Sequence, residues 1–190
     1  MLVAIAIGVG VNAWSGQKPV PFNNKLTSFD SRFLGFKYPA SWADEPDSMV
    51  GSFADGLVFL SNREMHAPCL TRQLANGDIE TTCSNPVSRL GYDGVLVHWM
   101  LLFSMTNIGP GGTLAHWPGL PILVDGHAGR ESVVSKHPGC VRDTRQELSV
   151  SIVWIGNSYF EMTACLSGPN LGRERSEVRA MIATTKILRS

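Results

Sequence analysis

Beyond residue 32 the chain is built from short runs in which apolar and polar residues alternate or apolar residues cluster. The runs Phe33–Tyr38, Leu57–Ser61, Val95–Phe103, Pro121–Val124, Ala128–Ser135, Leu148–Ile155 and Tyr159–Leu166 read as strands, most of them bounded by Gly, Pro or Asn turns. "LSVSIVWI" begins with the alternation of a sheet that buries one face. "GVLVHWMLLF" is almost unbroken and predicts a central strand covered on both faces. The strongest helical signal is C-terminal, where Val178, Met181, Ile182 and Thr185 fall at i, i+3, i+4 and i+7 and Arg173, Arg175, Glu177 and Arg179 fill the remainder. Asn170 stands where a cap for that helix is needed. A second short helical turn is expected in residues 39–49, "PASWADEPDSM". The pattern therefore predicts an α+β fold, an antiparallel sheet with helices packed on it.

The first residues differ from this body. Residues 1–13 are an uncharged apolar leader, short for a membrane span and suited to a signal-peptide core or a truncated membrane anchor. Residues 14–31, polar and carrying Pro19 and Pro21, read as a tether, and residues 32–190 as a single domain. Gly8 and Gly10 after "VAIAI", with Asp30 downstream, imitate a dinucleotide fingerprint. That motif needs a helix opening at the glycines, and Pro19 and Pro21 prevent one, so nucleotide binding is not expected.

A 190-residue chain buries roughly 70% of its unfolded surface and does not need staples to fold. Lys plus Arg and Asp plus Glu number 16 each, so no whole-chain field attracts nucleic acid, and membrane contact is expected only through the leader. The cysteines, at 69, 83, 140 and 165, show no zinc-type spacing. A three-residue turn at Ala75-Asn76-Gly77 sets residue 74 against 78 and, counting outward, Cys69 against Cys83. Two hairpins in series, 128–135 into 148–155 into 159–166, bring the loop holding Cys140 to the sheet end that carries Cys165. Two structural disulfides follow, and with the leader they point outside the cytoplasm.

"FKYPASW" (Phe36–Trp42), "GVLVHWM" (Gly94–Met100), "GLPILVDGHAGRE" (Gly119–Glu131), "PGC" ending at Cys140, and "YFEMTACLSGPNL" followed by "VRAMIATTKI" carry a family likeness. On these residues the chain resembles uncharacterised secreted or membrane-anchored proteins of high-GC Gram-positive bacteria, whose fold is similar to the Mog1/PsbP type. The resemblance implies α/β/α layers around a central antiparallel sheet over most of residues 33–188. It also implies a binding or assembly module and no particular activity.

Chemistry-bearing motifs are sparse. His66, His98, His116, His127 and His137 form no closely spaced pair that would converge on a metal, and no GxSxG elbow occurs. Ser167 lacks an identifiable base, and Asp125-Gly126-His127 reads as a turn. The glycine-rich "IGPGGTLAHWPGLP" (Ile108–Pro121) lacks the Lys-Ser/Thr of a phosphate loop. In the aperiodic stretch 104–120, His116 and Trp117 are the candidate partner-binding residues, Trp117 as an aromatic anchor. No catalytic residue, metal or cofactor is expected. The chain reads as a non-enzymatic extracytoplasmic binding or assembly module of the cell envelope that binds another envelope protein or a ligand the sequence does not name. The alternative is a small envelope hydrolase or transferase, which requires a pocket gathering two or more of His98, Asp125, His127 and Glu131.

Overall fold

The computed structural model describes residues 25–51, 53–103, 117–135, 139–156 and 158–188. Along them run β1 (Leu26–Asp30), β2 (Leu34–Pro39), β3 (Ala43–Pro46), β4 (Ala54–Ser61), β5 (Cys69–Gln73), β6 (Ile79–Cys83), β7 (Val95–Leu102), β8 (Leu120–Val124), β9 (His127–Val134), β10 (Gln146–Val153), β11 (Tyr159–Leu166), α1 (Leu171–Thr184) and β12 (Lys186–Ile187). They form a seven-stranded sheet in the order β3-β4-β7-β11-β10-β9-β8, a three-stranded sheet β1-β2-β12, and the hairpin β5-β6. Every strand pairing is antiparallel.

Alternation decides which side of the large sheet becomes the core. Val95, Val97, Trp99 and Leu101 of β7 share one face with Val58 and Leu60, Phe160 and Met162, and Leu148, Val150 and Ile152 of the neighbouring strands. Helix α1 packs Val178, Met181 and Ile182 onto this face, and β2 adds Leu34, Phe36 and Tyr38. The Phe36 ring stacks on Trp99 with centroids 5.5 Å apart. The helical stripe read from the sequence is thus the buried one.

The architecture corrects the expected α+β fold with Mog1/PsbP-like α/β/α layers. It is mostly β, with one helix among the described residues, and that helix covers the core face together with the small sheet. A second helical layer needs a second apolar stripe of period 3.6. The candidate for it, residues 39–49, instead supplies β3, which satisfies its backbone by pairing Ala43–Pro46 with Val58–Ser61 of β4. Pro39 and Pro46 leave too short an interval for a stable helix. Five residues of the segment expected to be a tether form β1, because Thr27 and Phe29 turn inward and the Phe29 ring stacks on Phe36 at 5.0 Å.

The hairpin β5-β6 is a separate arm. Its strands pair only with each other, and nearly all their residues are exposed. Gly77, at φ 90°, takes the left-handed position of the turn, and Leu74 N–H donates to Asp78 O at 2.7 Å.

Candidate functional site

The face of the large sheet opposite the core is half-exposed and mostly polar. Strand register lines up Phe59, His98, Thr163, Ser149 and Ser132 across β4, β7, β11, β10 and β9. The adjacent row carries Met100, Glu161, Ser151 and Arg130. At one end of this face Phe59, Leu96 and Cys165 pack with Val87 and Leu90 into a small second core.

His98 is the best-organised polar group on the face. Its ring lies flat on Phe59, with centroids 3.9 Å apart and planes 8° from parallel. Its Nε2 sits 2.7 Å from Asp47 Oδ2, while Met49 N–H donates to Asp47 Oδ1 at 3.0 Å. The loop after β3 delivers Asp47, and Gly56 makes room for it, since a Cβ there would stand 2.0 Å from Asp47 Oδ2. The register shift between Gly56 and Val58 falls at the same place. Burial pushes the Asp47 carboxyl up, but the His98 hydrogen bond, the Met49 N–H and the imidazole charge together hold it below the usual carboxylate range. Cys69 Sγ lies 3.9 Å from Asp47 Oδ1, so the base of the arm abuts this pair.

A buried carboxylate that orients an imidazole is half of an acid/base device. Here the carboxylate takes Nε2 and leaves Nδ1 for any proton transfer. Among the described residues no hydroxyl is hydrogen-bonded to that nitrogen.

The other acid/base candidates are committed elsewhere. Asp125, at φ 50° in the β8-β9 turn, accepts from Lys186 Nζ and Ile187 N–H, each at 2.9 Å. The Lys186 hydrogen bond is the main reason its carboxyl lies below the ordinary range. His127 Nδ1 lies 3.0 Å from Val153 O. Glu131 faces the core side and pairs with Arg179 of α1. Strands β11 and β10 separate it from His98. His98, Asp125, His127 and Glu131 therefore do not share one pocket. Ser167 is buried, with Oγ donating to Gly91 O and accepting from Gly94 N–H, a structural role.

Trp117 is half-buried, its ring edge-on to Tyr159 with centroids 4.6 Å apart. Burial first, then the charge and hydrogen bond of Glu161, push the Tyr159 hydroxyl up to about 12. His116 and the rest of 104–116 lie outside the described residues, as do the leader and the glycines of the dinucleotide-like motif. Cys69 and Cys83 stand directly opposite in the β5-β6 ladder and are bonded, with Cα atoms 4.0 Å apart. Cys140 and Cys165 are bonded with Cα atoms 5.7 Å apart.

The sequence reading missed Asp47, because no local pattern links positions 51 residues apart. It also missed Glu174, which sits on the apolar stripe of α1 four residues before Val178. A charge on an apolar stripe was the available signal.

These features define a mostly β domain tied by two disulfides, which fits an oxidising environment outside the cytoplasm. No protein-family model matches the chain, and no curated protein does. A crystal structure from Bacteroides thetaiotaomicron VPI-5482 is similar over 86% of this chain, with 13% identity and a TM-score of 0.41. The chain spans 48% of the length of that protein. Among the described residues no helix is long and apolar enough to cross a membrane.

Proposed function

We propose that the protein is a non-enzymatic binding module of the cell envelope, secreted or held at the membrane by its N-terminal segment, which captures another envelope protein. The observation that carries this reading is the arm. A two-stranded hairpin whose strands join no larger sheet is marginal in water, yet this one is covalently tied at its base and holds Leu70 72% and Ile79 73% exposed. Such a projection suits contact with a partner, and it rises beside the polar face that carries His98. Trp117 rests on Tyr159 of β11, the strand that also carries Thr163 of this face. The test is cross-linked recovery of partners from the native envelope with wild type and with Leu70→Ser/Ile79→Ser. Loss of a specific cross-linked protein at unchanged Tm is expected, and recovery equal to wild type would remove the arm from the interface.

The Asp47–His98 pair favours a second reading, an envelope hydrolase or transferase that uses His98 Nδ1 as its base. A hydrolytic activity abolished by His98→Asn at unchanged Tm would favour it over the module.

A further inference from the structure

From the base of the arm the chain runs directly into a groove lined by arginines. Beyond Cys83, Val87 and Leu90 are buried in the small second core with Phe59, Leu96 and Cys165. Arg89 and Tyr92, which flank this anchor, emerge on a groove of about 600 Å³ that Asp143, Thr144, Arg145 and Gly168 also line.

The walls of the groove are fixed by bonds that do not involve its lining side chains. Leu90 N–H donates to Arg142 O at 3.1 Å, Arg145 N–H donates to Leu166 O at 2.8 Å, and Ser167 Oγ donates to Gly91 O, so three separate segments of chain are joined. Arg63 clamps the first of them, donating through Nε to Leu90 O at 2.8 Å and through Nη2 to Tyr92 O. The Cys140–Cys165 bond ties the other two a second time. A site held in this way has little backbone freedom to lose on binding.

The lining side chains, by contrast, are largely uncommitted. The Arg145 guanidinium has no hydrogen bond or ion pair among the described residues. Arg89 uses only Nε, 2.9 Å from Asp143 Oδ2, and its terminal nitrogens have no partner among the described residues, with the side chain 71% exposed. The Tyr92 ring is 72% exposed. Two arginines against one aspartate leave the lining with a single positive charge in excess. Asp93 and Glu174 do not line it: Asp93 accepts from Asn170 Nδ2 at 2.8 Å, and Glu174 is fully buried, its carboxyl pushed up to about 7 by burial first and then by the charge of Asp93.

We propose that this groove takes an acidic side chain of the partner protein, with Arg145 and the free end of Arg89 on a Glu or Asp carboxylate and the Tyr92 ring against its neighbour. A guanidinium offers a carboxylate two parallel N–H donors, and arginine and tyrosine are among the residues that most often anchor protein interfaces. One excess charge, with Asp143 on the wall, suits a single carboxylate better than a dianionic phosphate or a polyanion. The inference rests on the module reading above and extends its contact surface from the arm along the same stretch of chain.

The experiment is an NMR titration of the ¹⁵N-labelled full chain with the capped heptapeptide Gly-Ser-Leu-Glu-Leu-Ser-Gly, with the same peptide carrying Gln in place of Glu, and with galacturonate. The glutamate peptide is expected to shift the Arg89 and Arg145 Nε–H and the Gly168 N–H resonances saturably, with a Kd of roughly 1 mM or tighter. The glutamine peptide, and Arg145→Gln with the glutamate peptide, should bind roughly tenfold more weakly, whereas Arg72→Gln on the arm should change nothing. Absence of these shifts, equal shifts from the glutamine peptide, or unchanged binding in Arg145→Gln overturns the proposal. Saturable shifts from galacturonate alone overturn it too, in favour of an acidic saccharide. The two readings fail separately. Envelope cross-linking lost in Leu70→Ser/Ile79→Ser but kept in Arg145→Gln overturns the groove and leaves the module, whereas glutamate-specific binding without any arm-dependent cross-link supports the groove and removes the arm.

Discussion

The two disulfides close regions of opposite character. In the arm, Cys69–Cys83 crosses a two-stranded ladder whose residues are mostly exposed and belong to neither hydrophobic cluster. At the end of the large sheet, Cys165 lies in a buried cluster with Leu96, Phe59, Val87 and Leu90, and Cys140 packs against it from the preceding loop. The same bond therefore does different work. In the arm it substitutes for a core that a hairpin cannot build, whereas in the sheet it closes a loop over a core that exists without it.

The largest effect is expected from cutting the sheet disulfide. Cys140→Ala/Cys165→Ala should lose about 3.5 kcal/mol by the chain-entropy model, a Tm drop of roughly 7–14 °C. Cys69→Ala/Cys83→Ala should leave the main transition within a few degrees of wild type while making the arm sensitive to limited proteolysis. Equal Tm losses in the two variants would show that the arm folds as part of the sheet and break the contrast.

The next largest effect uses pH. The arm holds only an exposed Arg72–Glu80 pair, worth little, whereas the sheet end holds Glu174. The folded Glu174 carboxyl is raised to about 7, above its ordinary 4.5. Stability is accordingly lost as pH rises through that interval, and the loss is complete above about pH 7. Glu177, also raised by burial, adds in the same direction. Glu174→Gln should flatten this decline and gain about 2 kcal/mol at pH 8 while changing little at pH 4. Asp47 has the opposite sign, its folded carboxyl being depressed, so its contribution is present above about pH 4 and is lost as pH falls below that. Urea titrations from pH 3 to 9 distinguish the two carboxyls, and a flat wild-type profile between pH 5 and 8 would contradict the Glu174 assignment.

A smaller effect belongs to Trp117. Its half-buried ring rests on Tyr159, and Trp117→Ala should cost about 1–2 kcal/mol, less than a core tryptophan. The smallest is in the arm, where Leu70→Ser/Ile79→Ser should shift stability by less than about 0.5 kcal/mol. A Tm loss of several degrees there would mean that the arm buries these residues against the body.

Strands with a buried face were legible because their alternation is local. The run read as Tyr159–Leu166 is β11, and those read near Leu148 and Val95 are β10 and β7 within two residues at either end. The short edge strands β1 and β3 were not, since their residues are exposed or half-buried and leave little pattern. The expectation of helical layers failed for a related reason. The opposite face of the sheet is polar along Thr163, Ser149 and Ser132, which removes the apolar surface that a second helical layer would bury.

What the sequence by itself determined is the set of features that depend on neighbours along the chain. These are the period-two strands, the single stripe of α1, and the turn at Gly77 that sets Cys69 against Cys83. Tertiary structure alone decided which distant residues meet. Asp47 reaches His98 across 51 positions because a short edge strand and the glycine at 56 allow the approach. Asp93 accepts from Asn170 because the turn before β7 and the start of α1 converge at one end of the sheet. Contacts of this kind come from burial and strand order, which one-dimensional periodicity does not encode.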